Sequence, residues 1–224
     1  MAAETPPLST PDLFRSLPDT PDLLPLAAGA AVLPGFVDEA SAATCLVALR
    51  GVLNDAPLRH MVTPGGHRMT VAMSNCGPWG WTSSKTGYRY SRTDPESGRP
   101  WPAIPPVLRD IAERAAARVG FDTFHPDACL INRYRPGAKL SPHQDRDERA
   151  LDQPIVSLSL GLPATFQFGG PARRTRLQRT VLESGDVVVW GGPSRLAYHG
   201  VLPLAEGRHP LTGACRINLS FRQV

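Results

Sequence analysis

From Cys129 to the C-terminus, apolar residues recur at every second position in short runs. They fall at about 129–134, 155–161, 165–168, 179–183, 186–190, 196–199 and 215–222. Between them lie RPGA, FGGP, ESGD, GGPS and EGRHP. Period two is the side-chain period of a strand, so this half of the chain cannot be a helical bundle. Glycine (20) and proline (24) make up about a fifth of the 224 residues, and they supply the turns that many short strands need. The expected architecture is a β-sandwich or barrel of jelly-roll type.

The first half reads differently. Residues 1–29 are rich in Pro, Ser, Thr and Asp and form a loosely ordered leader. Asp38 has the character of an N-cap for an amphipathic helix, EASAATCLVALRGVL, ending near Asn54. A second helix, VLRDIAERAAARV, follows Pro105-Pro106 and stops at Gly120. Residues 61–92 carry many glycines, two tryptophans and two tyrosines and read as hairpins and loops. The chain is therefore α+β. A single domain over 30–224 is expected, with hairpins at 61–92 and a strand-rich core at 127–224.

Several function classes recede at once. Cys45, Cys76, Cys129 and Cys215 are far apart and form no CxxC pair, so neither a zinc ribbon nor a redox motif is present. They are expected as reduced thiols, mostly buried. No signal peptide or membrane-length apolar run occurs, and a cytoplasmic protein without a membrane partner is expected. The net charge of +4 permits a polyanionic partner without demanding one. The 22 arginines against two lysines, Lys85 and Lys139, add nothing to that.

The chemistry sits on the strands. In CRINLSFR, Arg216, Asn218, Ser220 and Arg222 share one face, and Ile217, Leu219 and Phe221 share the other. Taken alone, this is the pattern of a surface strand with arginines in water. In CLINRY, Leu130, Asn132 and Tyr134 share a face. In LSPHQDRDE, His143 and Asp145 are two residues apart, and His199 ends a later strand-like segment, LAYHG. Two imidazoles and one carboxylate on one side of a metal leave three positions open, which suits Fe(II) with a co-substrate and O2. A strand bearing two arginines follows His199 by 17 residues, and an arginine can clamp the carboxylate of a keto acid.

These residues resemble the AlkB family of iron(II)- and 2-oxoglutarate-dependent dioxygenases, in particular its bacterial alkylation-repair members. The matching stretches are MVTPGG (61–66), VAMSNCG (71–77), GWTS (80–83), PDACLINRY (126–134), PGAKLSPHQDRDE (136–148), IVSLSLGLPATFQFGG (155–170), GDVVVWGG (185–192) and CRINLSFRQ (215–223). The resemblance implies a double-stranded β-helix, a jelly roll with iron at its open end and a nucleotide-recognition hairpin region. His143, Asp145 and His199 would hold the iron. Arg216, assisted by Tyr134, would pair with the distal carboxylate of 2-oxoglutarate; Asn132, Asn218 and Arg222 would hold its chelating end.

The resemblance extends to the substrate. Trp81 and His143 would sandwich a flipped, methylated base, and Asp147 would favour a cationic one. Tyr88, Arg89 and Tyr90 would contact the strand backbone, and Arg173 would line the base pocket. The implied activity is oxidative demethylation of 1-methyladenine and 3-methylcytosine, using Fe(II), O2 and 2-oxoglutarate and releasing formaldehyde, succinate and CO2. Single-stranded DNA is the expected substrate of a monomeric enzyme, with RNA and double-stranded DNA left open, because flipping a base from a duplex costs a few kcal/mol. The alternative is a hydroxylase of the same class acting on a protein or a small molecule. No role is assigned to Glu148. His60, His67, His125 and His209 read as structural or exposed, and Trp79, Trp101 and Trp190 as packing residues.

Overall fold

A computed structural model describes residues 22–224. Two sheets face each other. The larger is built from β1 (Leu24–Ala27), β2 (Ala30–Leu33), β3 (Ala72–Cys76), β6 (Ala128–Tyr134), β8 (Ile155–Gly161), β11 (Val187–Trp190) and β13 (Arg216–Arg222). Its strand order is β1-β2-β11-β8-β13-β6-β3. The smaller holds β7 (Leu140–His143), β9 (Ala164–Phe168), β10 (Gln178–Leu182) and β12 (His199–Val201), in the order β10-β9-β12-β7. A separate hairpin joins β4 (Gly80–Ser84) to β5 (Gly87–Ser91). This is the expected jelly-roll core with helices before it.

Apart from the edge strand β1, both faces of the large sheet are buried, and the alternation of its strands reflects that. Ile217, Leu219 and Phe221, with Leu158, Leu160, Val187 and Val189, pack under two helices. The first, α1 (Glu39–Asp55), starts where Asp38 Oδ1 accepts the Ser41 amide at 2.7 Å, and it buries Ala42, Cys45, Leu49 and Val52. The second, α2 (Pro106–Arg118), opens on a proline and buries Leu108, Ile111, Ala112, Ala115 and Ala116. The opposite face of the large sheet lines the barrel. There Leu130, Tyr134 and Trp190 meet Phe166 and Phe168 of the small sheet. Arg216, Asn218, Ser220 and Arg222 are all buried on this inner side. The surface-strand reading of CRINLSFR is thus corrected: the helices take the apolar face, so the polar face turns inward.

Several boundaries move. The leader lies mostly outside the described residues, but Leu24–Ala27 forms β1 and pairs with β2, inside the span read as leader. The segment expected as a strand at 196–199 is mostly turn and loop, following a 3-10 helix at Gly192–Ser194. His199 begins β12 instead of ending a strand. Ser194 donates to the Ala28 carbonyl at 2.7 Å, which fixes that loop against the β1–β2 turn. Strand β3, read as part of the hairpin region, belongs to the large sheet beside β6.

One glycine is required by its turn. Gly185 in ESGD has φ +96°, and a Cβ there would be driven into the Val37 carbonyl oxygen. The Val37 amide donates back to the Gly185 carbonyl at 3.0 Å. Gly185→Ala is expected to destabilise the protein by about 2 kcal/mol or more, from the left-handed backbone and the clash together. Thermal unfolding of the variant checks this.

Candidate active site

The barrel opens into a cavity of about 820 Å³. His143 ends β7 and His199 begins β12, and the two are register partners across that pair of strands. Each imidazole is anchored through Nδ1, His143 to the Ser141 carbonyl at 2.9 Å and His199 to the Ala197 carbonyl at 3.0 Å. A carbonyl only accepts, so Nδ1 donates and Nε2 is the nitrogen turned toward Asp145. Both Nε2 atoms point at Asp145, His143 at 3.7 Å from Oδ1 and His199 at 3.7 Å from Oδ2. The three potential ligand atoms lie within 4.8 Å of one another. Burial, reinforced by the neighbouring His143, lowers the His199 pKa to about 4, which leaves a neutral imidazole at neutral pH.

Asp145 is kept ionised. Burial opposes its charge, but Arg222, His199 and His143 more than offset this and hold the carboxyl well below its ordinary range. Arg222 donates from Nη2 at 2.6 Å and from Nε at 3.1 Å, both to Asp145 Oδ2. Two imidazoles and one anionic carboxylate on adjoining loops and strands form a donor set suited to Fe(II).

A second demand for a ligand comes from the cavity wall. Arg216 is 1% exposed, and its Nη2 donates to Ser159 Oγ at 2.9 Å. Its Nε and Nη1 are buried without a hydrogen-bond partner among the described residues. The Tyr134 ring lies 5.2 Å from its guanidinium carbon, and burial pushes the Tyr134 hydroxyl up to about 12. Burial also lowers the Arg216 pKa, the direction for a cation with no anion beside it. A carboxylate would satisfy both orphaned donors at once. The residues therefore fit 2-oxoglutarate as well as the metal.

The remaining expected contacts divide. Asn132 donates to Asn218 Oδ1 at 3.3 Å, and its own Oδ1 is buried without a partner. Asn218 is spent within the protein, on Ser157, Leu158 and Ser220. Arg222 reaches the cavity wall but directs Nε and Nη2 at Asp145. On the substrate side, Trp81, Tyr88, Asp147 and Arg173 line the cavity with His143. Trp81 Nε1 donates to Asp147 Oδ2 at 2.9 Å, and its ring stacks on Tyr88 at 5.4 Å and 20°. Arg89 is exposed and Tyr90 turns inward to Glu148, so neither is on the cavity wall.

Some residues escaped the sequence reading. Gln144, inside the HQD triplet, donates to the carbonyls of Leu196 at 2.6 Å and Pro171 at 3.1 Å and pins the loop between the histidines. Arg195 is buried and donates to the backbone carbonyl of Asp145 at 2.7 Å. Trp190, read as packing alone, also backs His199 with ring centroids 4.8 Å apart. The middle position of the triplet was a legible signal; nothing in the spacing marks Arg195.

Residues 29–222 match the 2OG-Fe(II) oxygenase superfamily. The alpha-ketoglutarate-dependent dioxygenase AlkB of Escherichia coli (strain K12) is 57% identical over 199 residues, which are 89% of this chain and 92% of that protein. The chain belongs to the AlkB family. It is accordingly an Fe(II)- and 2-oxoglutarate-dependent dioxygenase that uses O2. The fold agrees. A solved structure, "The structure of OsALKBH1", superposes with a TM-score of 0.77 at 28% identity, covering 90% of this chain and 100% of that one. A shorter match joins it to the DNA N(6)-methyladenine demethylase ALKBH1D of Arabidopsis thaliana. That match is 40% identical over 110 residues, 43% of this chain and 24% of that protein. Among the described residues, no helix is long and apolar enough to cross a membrane.

Proposed function

We propose that the protein removes methyl groups from N-alkylated bases, 1-methyladenine and 3-methylcytosine, in single-stranded DNA, with RNA and duplex DNA as further candidate substrates. The observation that carries this reading is the hydrogen bond from the Trp81 indole to Asp147 at the mouth of the metal cavity. It sets a flat aromatic surface edge to edge with an anion, which suits a ring that is both planar and cationic. A demethylase activity is also the named function of the Arabidopsis relative.

Fe(II), held by His143, Asp145 and His199 with 2-oxoglutarate on Arg216, would supply with O2 the oxidising chemistry that removes an N-methyl group as formaldehyde. The chain's own residues do the rest. Arg216 orients the co-substrate through its carboxylate. Asp145 and the two histidines hold the metal at the cavity floor, and Arg222 fixes the carboxylate of Asp145. Trp81 stacks on the base from one side with His143 opposite, which brings the methyl group toward the metal. Asp147 compensates the positive charge of the lesion. Arg173, exposed at the rim, meets the phosphate backbone or the base edge. The unstacked base of a single strand enters without the cost of opening a duplex. Four free cysteines accord with a reducing, cytoplasmic setting, and we take the protein to act as a monomer.

Formaldehyde release from a 3-methylcytosine oligonucleotide, with iron and 2-oxoglutarate present, tests this reading. Trp81→Ala is expected to lower kcat/KM for that oligonucleotide by about tenfold or more, since stacking on one aromatic is worth roughly 1–3 kcal/mol. Its rate of 2-oxoglutarate turnover without nucleic acid should change little. If the wild-type protein turns over 2-oxoglutarate but neither binds nor responds to methylated oligonucleotides, the substrate is of another kind.

A further inference from the structure

Glu148 lies outside the cavity wall, and its side chain is only 2% exposed. A buried carboxylate is costly unless it is paired and hydrogen-bonded, so its partners show what it is there to hold. Oε1 accepts from the Tyr90 hydroxyl at 2.5 Å and lies 3.3 Å from Arg222 Nε. Oε2 accepts from Arg195 Nη2 at 3.1 Å.

Each partner leads to a different part of the site. Tyr90 is on β5, directly opposite Trp81 in the register of the β4–β5 hairpin. Arg222 gives its two short bonds to Asp145 Oδ2. Arg195 donates from Nη1 to the backbone carbonyl of Asp145, and from Nε to the Gln153 carbonyl at 2.8 Å. One carboxylate thus joins the hairpin that carries Trp81 to both the side chain and the backbone of a metal ligand. The chain of contacts is short, and its carboxylate and both arginines are buried. Hydrogen bonds of this kind, shielded from water and charge-assisted, hold geometry more firmly than exposed ones.

We propose that Glu148 is a positioning residue that couples the base-stacking hairpin to Asp145, so that substrate binding and co-substrate binding reinforce each other. The hairpin half rests on the base-demethylase reading above. The Asp145 half stands without it. A displacement of the hairpin pulls on Tyr90 and hence on Glu148, and Glu148 shares Arg222 with Asp145. Conversely, a metal and co-substrate that fix Asp145 also fix Arg222 and the hydrogen-bond acceptor of Tyr90. Linkage makes the effect reciprocal.

The test uses cobalt(II) in the iron site, so that binding is read without turnover. Glu148→Gln is nearly isosteric and removes the charge; Tyr90→Phe cuts only the hairpin end of the link. Glu148→Gln is expected to shift the visible ligand-field bands of the cobalt protein with no nucleic acid present, because Arg222 is left with Asp145 as its one anion. Tyr90→Phe should leave those bands as in the wild type. A 3-methylcytosine oligonucleotide is expected to tighten 2-oxoglutarate binding about fivefold or more in the wild type, and less than twofold in either variant. A purely structural Glu148 would lower thermal stability and move neither readout. Unchanged bands in Glu148→Gln, or a full oligonucleotide effect in Tyr90→Phe, would overturn the proposal. Should Glu148→Gln fail to fold, Tyr90→Phe alone decides through the oligonucleotide effect. If the oligonucleotide does not bind the wild-type protein, the substrate reading falls, and the cobalt bands still decide whether Glu148 positions Asp145.

Discussion

An Arg216→Met variant is expected to lose about a hundredfold or more in 2-oxoglutarate affinity, while binding metal normally and unfolding at the parent's temperature or above it. The sign of the stability effect is unusual and follows from the orphaned donors. Arg216 is among the largest fully buried side chains, yet among the described residues Nε and Nη1 have no hydrogen-bond partner and no carboxylate pairs with it. Its Nη2 donates to a serine. A cation kept this way is a cost to the free protein. Methionine fills a similar volume without that cost, and replacing buried charged groups by apolar ones of matching size is often neutral or stabilising. The ligand, in contrast, loses two charge-assisted bonds. Even at a net worth of roughly 1.5 kcal/mol each, they amount to about a hundredfold in affinity. Thermal unfolding of the manganese-loaded protein with and without 2-oxoglutarate reads both effects. The co-substrate should raise the parent's Tm by mass action and leave the variant's unmoved. Equal losses of metal and 2-oxoglutarate affinity would mean that Arg216 supports the ligand set and not the co-substrate.

The same strand shows what was legible in the sequence. Alternation in Arg216–Arg222 divided the side chains into two sets correctly, because the period of a strand is two whatever surrounds it. It did not say which set faced inward. That depends on α1 and α2 covering Ile217, Leu219 and Phe221, a packing relation between segments more than a hundred residues apart. The cluster of His143, Asp145 and His199 was readable because chemistry restricts the residue types and because His143 and Asp145 are close in sequence. Their supports were not. Glu148 sits in a loop whose acids default to solvent, and it meets Arg195, 47 residues away, and Tyr90, 58 residues away. No local spacing encodes such a meeting. The short strands β1, β2 and β7 were missed for a different reason. Four residues are too few to display a period, and Pro142 interrupts the last of them. They are strands because a neighbour pairs with them.

Glu148 and Asp145 also explain why the site tolerates so much charge in so little water. Around Arg222 lie two carboxylates within 3.3 Å, and Arg195 reaches the second of them. Asp147, one residue before Glu148, is exposed and bonds Trp81. Neighbouring acids in one loop are therefore divided between buried contacts with the arginines and an exposed contact with Trp81. The division follows burial: Asp145 and Glu148 meet the arginines, and the exposed Asp147 meets Trp81 at the cavity.

Removing Asp145 is expected to do two kinds of damage that removing His143 does not combine. His143→Ala and Asp145→Ala should each weaken iron binding by at least about a hundredfold, more than the loss of an outer-shell partner typically costs. They should part in the metal-free protein. The His143 side chain is 39% exposed, and its loss there should cost about 1 kcal/mol or less. Asp145 is the nearest anion to Arg222, whose side chain is 6% exposed. Truncating one member of a buried pair leaves the other charge uncompensated, which typically costs 3–5 kcal/mol. Glu148, 3.3 Å from Arg222 Nε, still offsets part of that charge, so about 3 kcal/mol is expected. Urea unfolding of the metal-free variants measures the difference, and a cobalt(II) titration measures the shared loss of metal affinity. Should metal-free Asp145→Ala unfold at the same urea concentration as His143→Ala, the Arg222 pair contributes nothing to stability, and Asp145 is held in place by its metal alone.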